Sequence, residues 1–169
     1  MTLPVLVILM LIPESWAAWS ALALYTVGCI TDWLDGFIAR KMKLESNFGK
    51  FLDPISDKIF VAAVLITLVA NGHLNDWGLV AVLVILSREF LVSGLREFFG
   101  PKNITFPVSN LAKWKTTAQM FSLGFLIMGE YGVPVFPLNI EIGYTLLAAA
   151  TLLTLVTGRT YLKDGLKHL

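Results

Sequence analysis

The chain is poor in charge, in cysteine and in histidine. Only 15% of its 169 residues are Asp, Glu, Lys or Arg, against 56% hydrophobic, and its mean hydropathy is +0.73. Soluble domains run at about 45–50% apolar and about 25% charged. A soluble fold is therefore a poor match, and a polytopic membrane protein a good one. The single cysteine, Cys29, excludes an intrachain disulfide framework. His73 and His168 form no ligand cluster with it or with each other. Internal repeats and low-complexity tracts are also missing. The net charge of +1 carries little information by itself, and no nucleic-acid partner is expected.

Basic residues are absent from three connectors, around 14–18, 71–76 and 129–141. All thirteen Lys and Arg residues instead fall within 40–58, 88–115 and the tail from Arg159. Six apolar blocks separate these zones, at 3–13, 17–38, 51–70, 77–95, 118–128 and 142–157. At about 20 residues per spanning helix, the length allows six helices joined by short loops and no sizeable soluble domain. Pro101, Pro107, Pro134 and Pro137 break the longer connectors. The expected fold is all-α, a single membrane domain over 1–169 with six transmembrane helices. Six crossings put every basic residue on one side, which the positive-inside rule assigns to the cytoplasm together with both termini. The first block is short for a span and lacks the basic start and cleavage site of a signal peptide.

Against this apolar background stand four aspartates, in Asp32-Trp33-Leu34-Asp35-Gly36-Phe37-Ile38-Ala39-Arg40 and then Gly49, Asp53 and Asp57. Ionisable residues within spanning segments default to a functional reading, because a charge there is costly. Helical spacing puts Asp32, Asp35, Gly36, Ala39 and Arg40 on one stripe, and Gly49, Asp53 and Asp57 on a second. The residues between them can turn the chain and set the two stripes face to face. Four converging carboxylates need cations to stay ionised. Oxygen-only ligands select hard ions, so Asp32, Asp35, Asp53 and Asp57 are candidate ligands for Mg²⁺ or Mn²⁺. Gly36, Ala39 and Gly49 either allow close helix packing or let a phosphorylated ligand approach the backbone. Arg40 shares the aspartate stripe and is a candidate phosphate ligand, whereas Lys43 serves topology. Cys29 and Ser56 could act as nucleophiles, but neither has a base at a recognisable spacing.

The pattern Asp32-x2-Asp35-Gly36-x2-Ala39-Arg40-x8-Gly49-x3-Asp53-x3-Asp57 resembles, at every defined position, the signature of the CDP-alcohol phosphatidyltransferases. The resemblance implies a six-helix membrane enzyme, usually a homodimer, with two divalent ions held by the aspartates. It implies that an alcohol hydroxyl attacks the β-phosphate of a CDP-linked lipid and expels CMP. Asp57 is then the implied base, and Asp32, Asp35, Asp53 and Asp57 the implied metal ligands; Asp32, Gly36, Ala39, Arg40 and Gly49 would line the CDP-lipid site. Members of the family begin with an amphipathic segment carrying an Asn-x2-Thr-x2-Arg-like pattern before an Ile-Pro that resembles Leu3-Pro4. This chain starts at about that proline, so that segment and the start of the first helix are expected to be missing from it.

The acceptor is written elsewhere. Arg88 and Arg96 sit in Ser87-Arg88-Glu89-Phe90-Leu91-Val92-Ser93-Gly94-Leu95-Arg96-Glu97, with Glu89, Ser93 and Arg96 sharing a face. Lys113 and Lys115 open the fifth span on the same side. Four cations suit a phosphorylated acceptor better than neutral inositol or choline. Snorkelling and topology are the competing explanation for the two lysines, and an ion pair with Glu89 for Arg88. The strings SREFLVSGLRE and KWKTTAQM are similar to the branch of the family that joins CDP-diacylglycerol to sn-glycerol 3-phosphate. Sibling enzymes making cardiolipin or phosphatidylinositol phosphate are the alternative, and a cation transporter a remote one. The expected location is the cell's inner membrane, with the active site facing the cytoplasm.

Overall fold

The computed structural model describes residues 2–42, 47–100 and 109–167, with side chains described except at 33, 36–42 and 47–54. Six α-helices lie among the described residues: α1 (Leu3–Leu11), α2 (Ser15–Met42), α3 (Asn47–Ala70), α4 (Trp77–Phe99), α5 (Asn110–Met128) and α6 (Asn139–Leu166). The described structure is all-α, as the apolar blocks lead one to expect. Two of these helices, α4 and α6, are long and apolar enough to cross a membrane among the described residues.

Local chemistry sets the helix ends. Pro4 stands in the first turn of α1, where its fixed φ suits the helix and no donor is lost. Ile12, extended and followed by Pro13, stops it. Nine residues rise only about 14 Å, less than half a bilayer core of about 30 Å. Ser109 caps α5, its Oγ accepting from the Ala112 N–H at 3.2 Å. At the far end of α5, Gly129 has φ +50 and the His73 ring lies against its α-carbon. A side chain at that position would be strained and would overlap the imidazole.

α6 packs along α5 and also along α4, α1 lies against α2 and α3, and α2 runs against α5. Leu6, Tyr25, Leu65, Ile85, Leu123 and Leu147 meet in the shared core. Gly143 allows a close approach of α5 and α6, since a Cβ there would stand 2.8 Å from Leu126 Cγ. Hydroxyls inside the bundle are satisfied locally: Thr67, Thr154 and Thr157 each donate to the carbonyl one turn back.

The two ends of the bundle differ in chemistry. The end without basic residues is tied by neutral hydrogen bonds. Tyr144 donates to the His73 carbonyl at 2.9 Å, Asn71 to the Met10 carbonyl at 3.2 Å, and Asn139 to the Gly129 carbonyl at 2.7 Å. The opposite end gathers the C-terminal halves of α2, α4 and α6 and the N-terminal halves of α3 and α5. Charged side chains concentrate there.

Candidate active site at the charged end of the bundle

Asp32 and Asp35 stand three residues apart on α2, both exposed, and Asp57 is exposed on α3. Their backbones are helical, so the spacing does place Asp32 and Asp35 on one face. Gly36, Ala39, Arg40, Gly49 and Asp53 belong to the same two helices, but their side chains lie outside the described ones. Lys43, Pro101, Pro107 and His168 fall outside the described residues altogether. Among the described residues, no three His, Cys, Asp or Glu side chains converge as a metal site. The donor chemistry still fits a hard divalent ion: the stripe offers carboxylate oxygen alone, with no imidazole or thiol among its signature positions.

One turn before Asp32, Cys29 and Ile30 border an apolar groove of about 570 Å³. Leu22 and Tyr25 continue its α2 wall, and Thr117, Met120, Phe121 and Gly124 form the α5 wall. Cys29 is half-buried and packs against the core, beside Tyr25, whose hydroxyl donates to the Met120 carbonyl at 3.0 Å. That is a packing environment. Ser56 is exposed.

The cations of α4 and α5 are held in a network rather than scattered. Glu89 Oε1 accepts from Lys115 Nζ at 2.5 Å and from Arg88 Nη1 at 2.9 Å. The side chains of Lys115, Arg88 and Glu89 are only 5%, 12% and 19% exposed. Arg88 Nη2 also reaches Thr157 Oγ1 on α6 at 3.4 Å, while its Nε is buried with no hydrogen-bond partner among the described residues. Arg96, two turns further along α4, is exposed and donates from Nη2 to the Tyr161 hydroxyl at 3.1 Å. Lys58, the neighbour of Asp57 on α3, lies within electrostatic reach of Lys115. The aspartate-bearing helix α3 therefore borders the cation cluster.

Of the four cations singled out by sequence, three join this network and one does not. Lys113 is exposed, on another face of α5 from the buried Lys115. The face shared by Glu89, Ser93 and Arg96 is divided between neighbours, because Glu89 meets Lys115 of α5 and Arg96 meets Tyr161 of α6. Sequence reasoning missed Thr157 and Tyr161. Their one signal is a four-residue spacing that puts both on a single face of α6. Arg88, Arg96 and Lys115 against Glu89 leave two positive charges in excess, together with an unfilled guanidinium donor. A buried donor left unmade costs about 1–3 kcal/mol.

Exposed carboxylates on α2 and α3 and the cation network of α4, α5 and α6 share one end of the helical bundle. The family model for CDP-alcohol phosphatidyltransferase matches residues 1–156, and the chain belongs to that family. The chain is 44% identical over 163 residues to the CDP-diacylglycerol--glycerol-3-phosphate 3-phosphatidyltransferase of Rickettsia typhi, covering 96% of this chain and 89% of the relative. It is 36% identical over 170 aligned positions to the protein of the same name from Pseudomonas fluorescens, covering 99% and 85%. For the Escherichia coli protein of that name the figures are 35% over 127 residues, covering 74% and 69%. The transporter alternative has no support in these likenesses.

Proposed function

We propose that this chain transfers the phosphatidyl group of CDP-diacylglycerol to sn-glycerol 3-phosphate, giving phosphatidylglycerophosphate and CMP. The observation that carries the acceptor is the meeting of Arg88 and Lys115 on Glu89 with Arg96 beyond them on Tyr161, three cations against one carboxylate, and an Arg88 Nε unpartnered among the described residues. A phosphate monoester brings about −1.5 to −2 charges at neutral pH, which matches that excess. Neutral inositol or choline would leave it unbalanced. The names of the relatives agree with this choice.

On the donor side, Asp32, Gly36, Ala39, Arg40 and Gly49 bind the CDP moiety, and the groove between α2 and α5 takes an acyl chain. Its apolar lining and its position one turn from Asp32 support that assignment. Asp32, Asp35, Asp53 and Asp57 would hold two divalent ions, Mg²⁺ or Mn²⁺, which when bound neutralise charge on the phosphate oxygens. Arg88, Lys115 and Arg96 hold the acceptor's phosphate and so orient its free hydroxyl. Asp57 takes the proton from that hydroxyl. The oxygen forms its bond to the lipid-bearing phosphorus as the bond to the CMP oxygen breaks, without a covalent enzyme intermediate.

In this reading the bundle lies in the cell membrane as the six-span protein of the family. The charged end and both termini face the cytoplasm, as the one-sided distribution of Lys and Arg supports. The working unit is a homodimer, as the family resemblance implies.

The test offers the purified protein CDP-diacylglycerol in phospholipid vesicles with Mg²⁺ or Mn²⁺. Glycerol 3-phosphate, inositol phosphate and phosphatidylglycerol are supplied as separate acceptors, and CMP release is followed. Release with glycerol 3-phosphate is expected. Release with either of the others, and none with glycerol 3-phosphate, would overturn the assignment in favour of a sibling transferase.

A further inference from the structure

Arg88 and Arg96 lie two turns apart on α4, yet both guanidinium groups rest on one ring of α6. Arg88 Cζ is 5.3 Å and Arg96 Cζ 5.5 Å from the centroid of Tyr161. The same phenol accepts a hydrogen bond from Arg96 Nη2 at 3.1 Å. Tyr161 is 6% exposed and the Arg88 side chain 12%, so that contact is made largely away from water, where the attraction between a cation and an aromatic face is strongest, while Arg96 reaches the ring from the exposed side. Thr157, one turn earlier, accepts from Arg88 Nη2 at 3.4 Å. Gly158 leaves the room for this, since a Cβ there would stand 3.1 Å from Arg88 Cγ. All three α6 residues fall beyond the segment 1–156 matched by the family model, so family membership assigns them no role.

Two guanidinium groups brought together without an anion repel each other, and free arginine side chains would splay apart. A ring shared between them opposes that by attracting both to one aromatic group. The hydroxyl then fixes the orientation of the outer one. Groups already held in place when a ligand arrives do not have to be ordered by it, which is where preorganisation raises affinity.

We propose that Tyr161 is a positioning residue of the acceptor site. It fixes the spacing and orientation of Arg88 and Arg96 for a phosphate monoester, and through it α6 completes a site whose charges come from α4 and α5. This rests on the reading of the cluster as the acceptor-phosphate site. Tyr161 itself touches no reacting atom, so its removal weakens acceptor binding while leaving the donor and the chemical step alone.

Two variants separate the ring from the hydroxyl. Tyr161→Phe keeps the ring and loses the oxygen; Tyr161→Leu loses both. Initial rates are measured against glycerol 3-phosphate and CDP-diacylglycerol in turn, with the unfolding midpoint of each variant taken in the same detergent. For Tyr161→Phe the acceptor KM should rise about three- to ten-fold, and for Tyr161→Leu about thirty-fold. The donor KM and kcat should stay within about two-fold, the pattern of lost ground-state binding. An unchanged acceptor KM, or donor and acceptor KM values rising together, would overturn the proposal. Should Tyr161→Leu fail to fold, Tyr161→Phe decides by itself. A wild-type protein that turns over glycerol 3-phosphate alongside indifferent variants defeats the role of Tyr161 alone. A wild-type protein inert towards glycerol 3-phosphate defeats the acceptor reading and this proposal with it.

Discussion

Replacing Glu89 with glutamine changes one charge and almost no volume. The amide oxygen can occupy the place of Oε1, which now accepts from Lys115 Nζ at 2.5 Å and Arg88 Nη1 at 2.9 Å. What disappears is the negative charge facing two cations whose side chains are 5% and 12% exposed. Removing one partner from a buried ion pair costs about 3–5 kcal/mol, because the other charge stays buried and uncompensated. For a chain of this size each kcal/mol shifts the unfolding midpoint by about 2–4 °C, so Glu89→Gln should lower it by roughly 6–20 °C. Circular dichroism of the purified protein in detergent measures this directly. Lys115→Met in the Glu89→Gln background removes one stranded cation and should restore part of the loss, with a coupling of about 2 kcal/mol between the sites. A Glu89→Gln midpoint within about 2 °C of wild type, less than about 1 kcal/mol, would refute the reasoning. Strict additivity of the two substitutions would refute it as well.

Three further outcomes are expected. Asp57→Asn should abolish CMP release while leaving the circular dichroism spectrum and CDP-lipid binding intact, and turnover retained at neutral pH would remove Asp57 from the role of base. Chelation of divalent ions should stop turnover, and Mg²⁺ or Mn²⁺ should restore it; activity that survives exhaustive chelation would count against the carboxylate site. Gly143→Ala should press a methyl group onto Leu126 Cγ, 2.8 Å from the ideal Cβ position, and cost about 1–3 kcal/mol of stability. That loss should appear in the unfolding midpoint, with both KM values unchanged.

Much of the architecture is legible in the sequence because hydrophobic patterning is a local property. Each apolar block lies on a helix, and Pro4, Pro13 and Ser109 act at helix ends as their chemistry dictates. The one-sided distribution of Lys and Arg anticipates a bundle with its basic residues gathered at one end and none at the other among the described residues. Lys113 and Lys115 mark where local reasoning stops. Residues two positions apart on a helix differ by about 200° in direction, so one lysine turns inward to Glu89 and the other to the exterior. Sequence reads them as a pair; only the packing of α4 on α5 decides which is buried.

Tyr161 is a harder case. It meets Arg96 across 65 positions of sequence, and no periodicity in α6 announces that contact. The aspartate signature is legible for the opposite reason, since it is a pattern of spacing within two consecutive helices. The cation cluster draws on α4, α5 and α6, and its shape depends on tertiary packing that spacing does not encode.

The proposed reaction is tested most directly by following two labels at once. CDP-diacylglycerol carries ³²P in the phosphate attached to diacylglycerol, and glycerol 3-phosphate carries ¹⁴C in its glycerol. Transfer of the phosphatidyl group predicts one chloroform-soluble product containing both labels, formed in step with unlabelled CMP. Phosphorus label in the released nucleotide, or a lipid product without ¹⁴C, would contradict it.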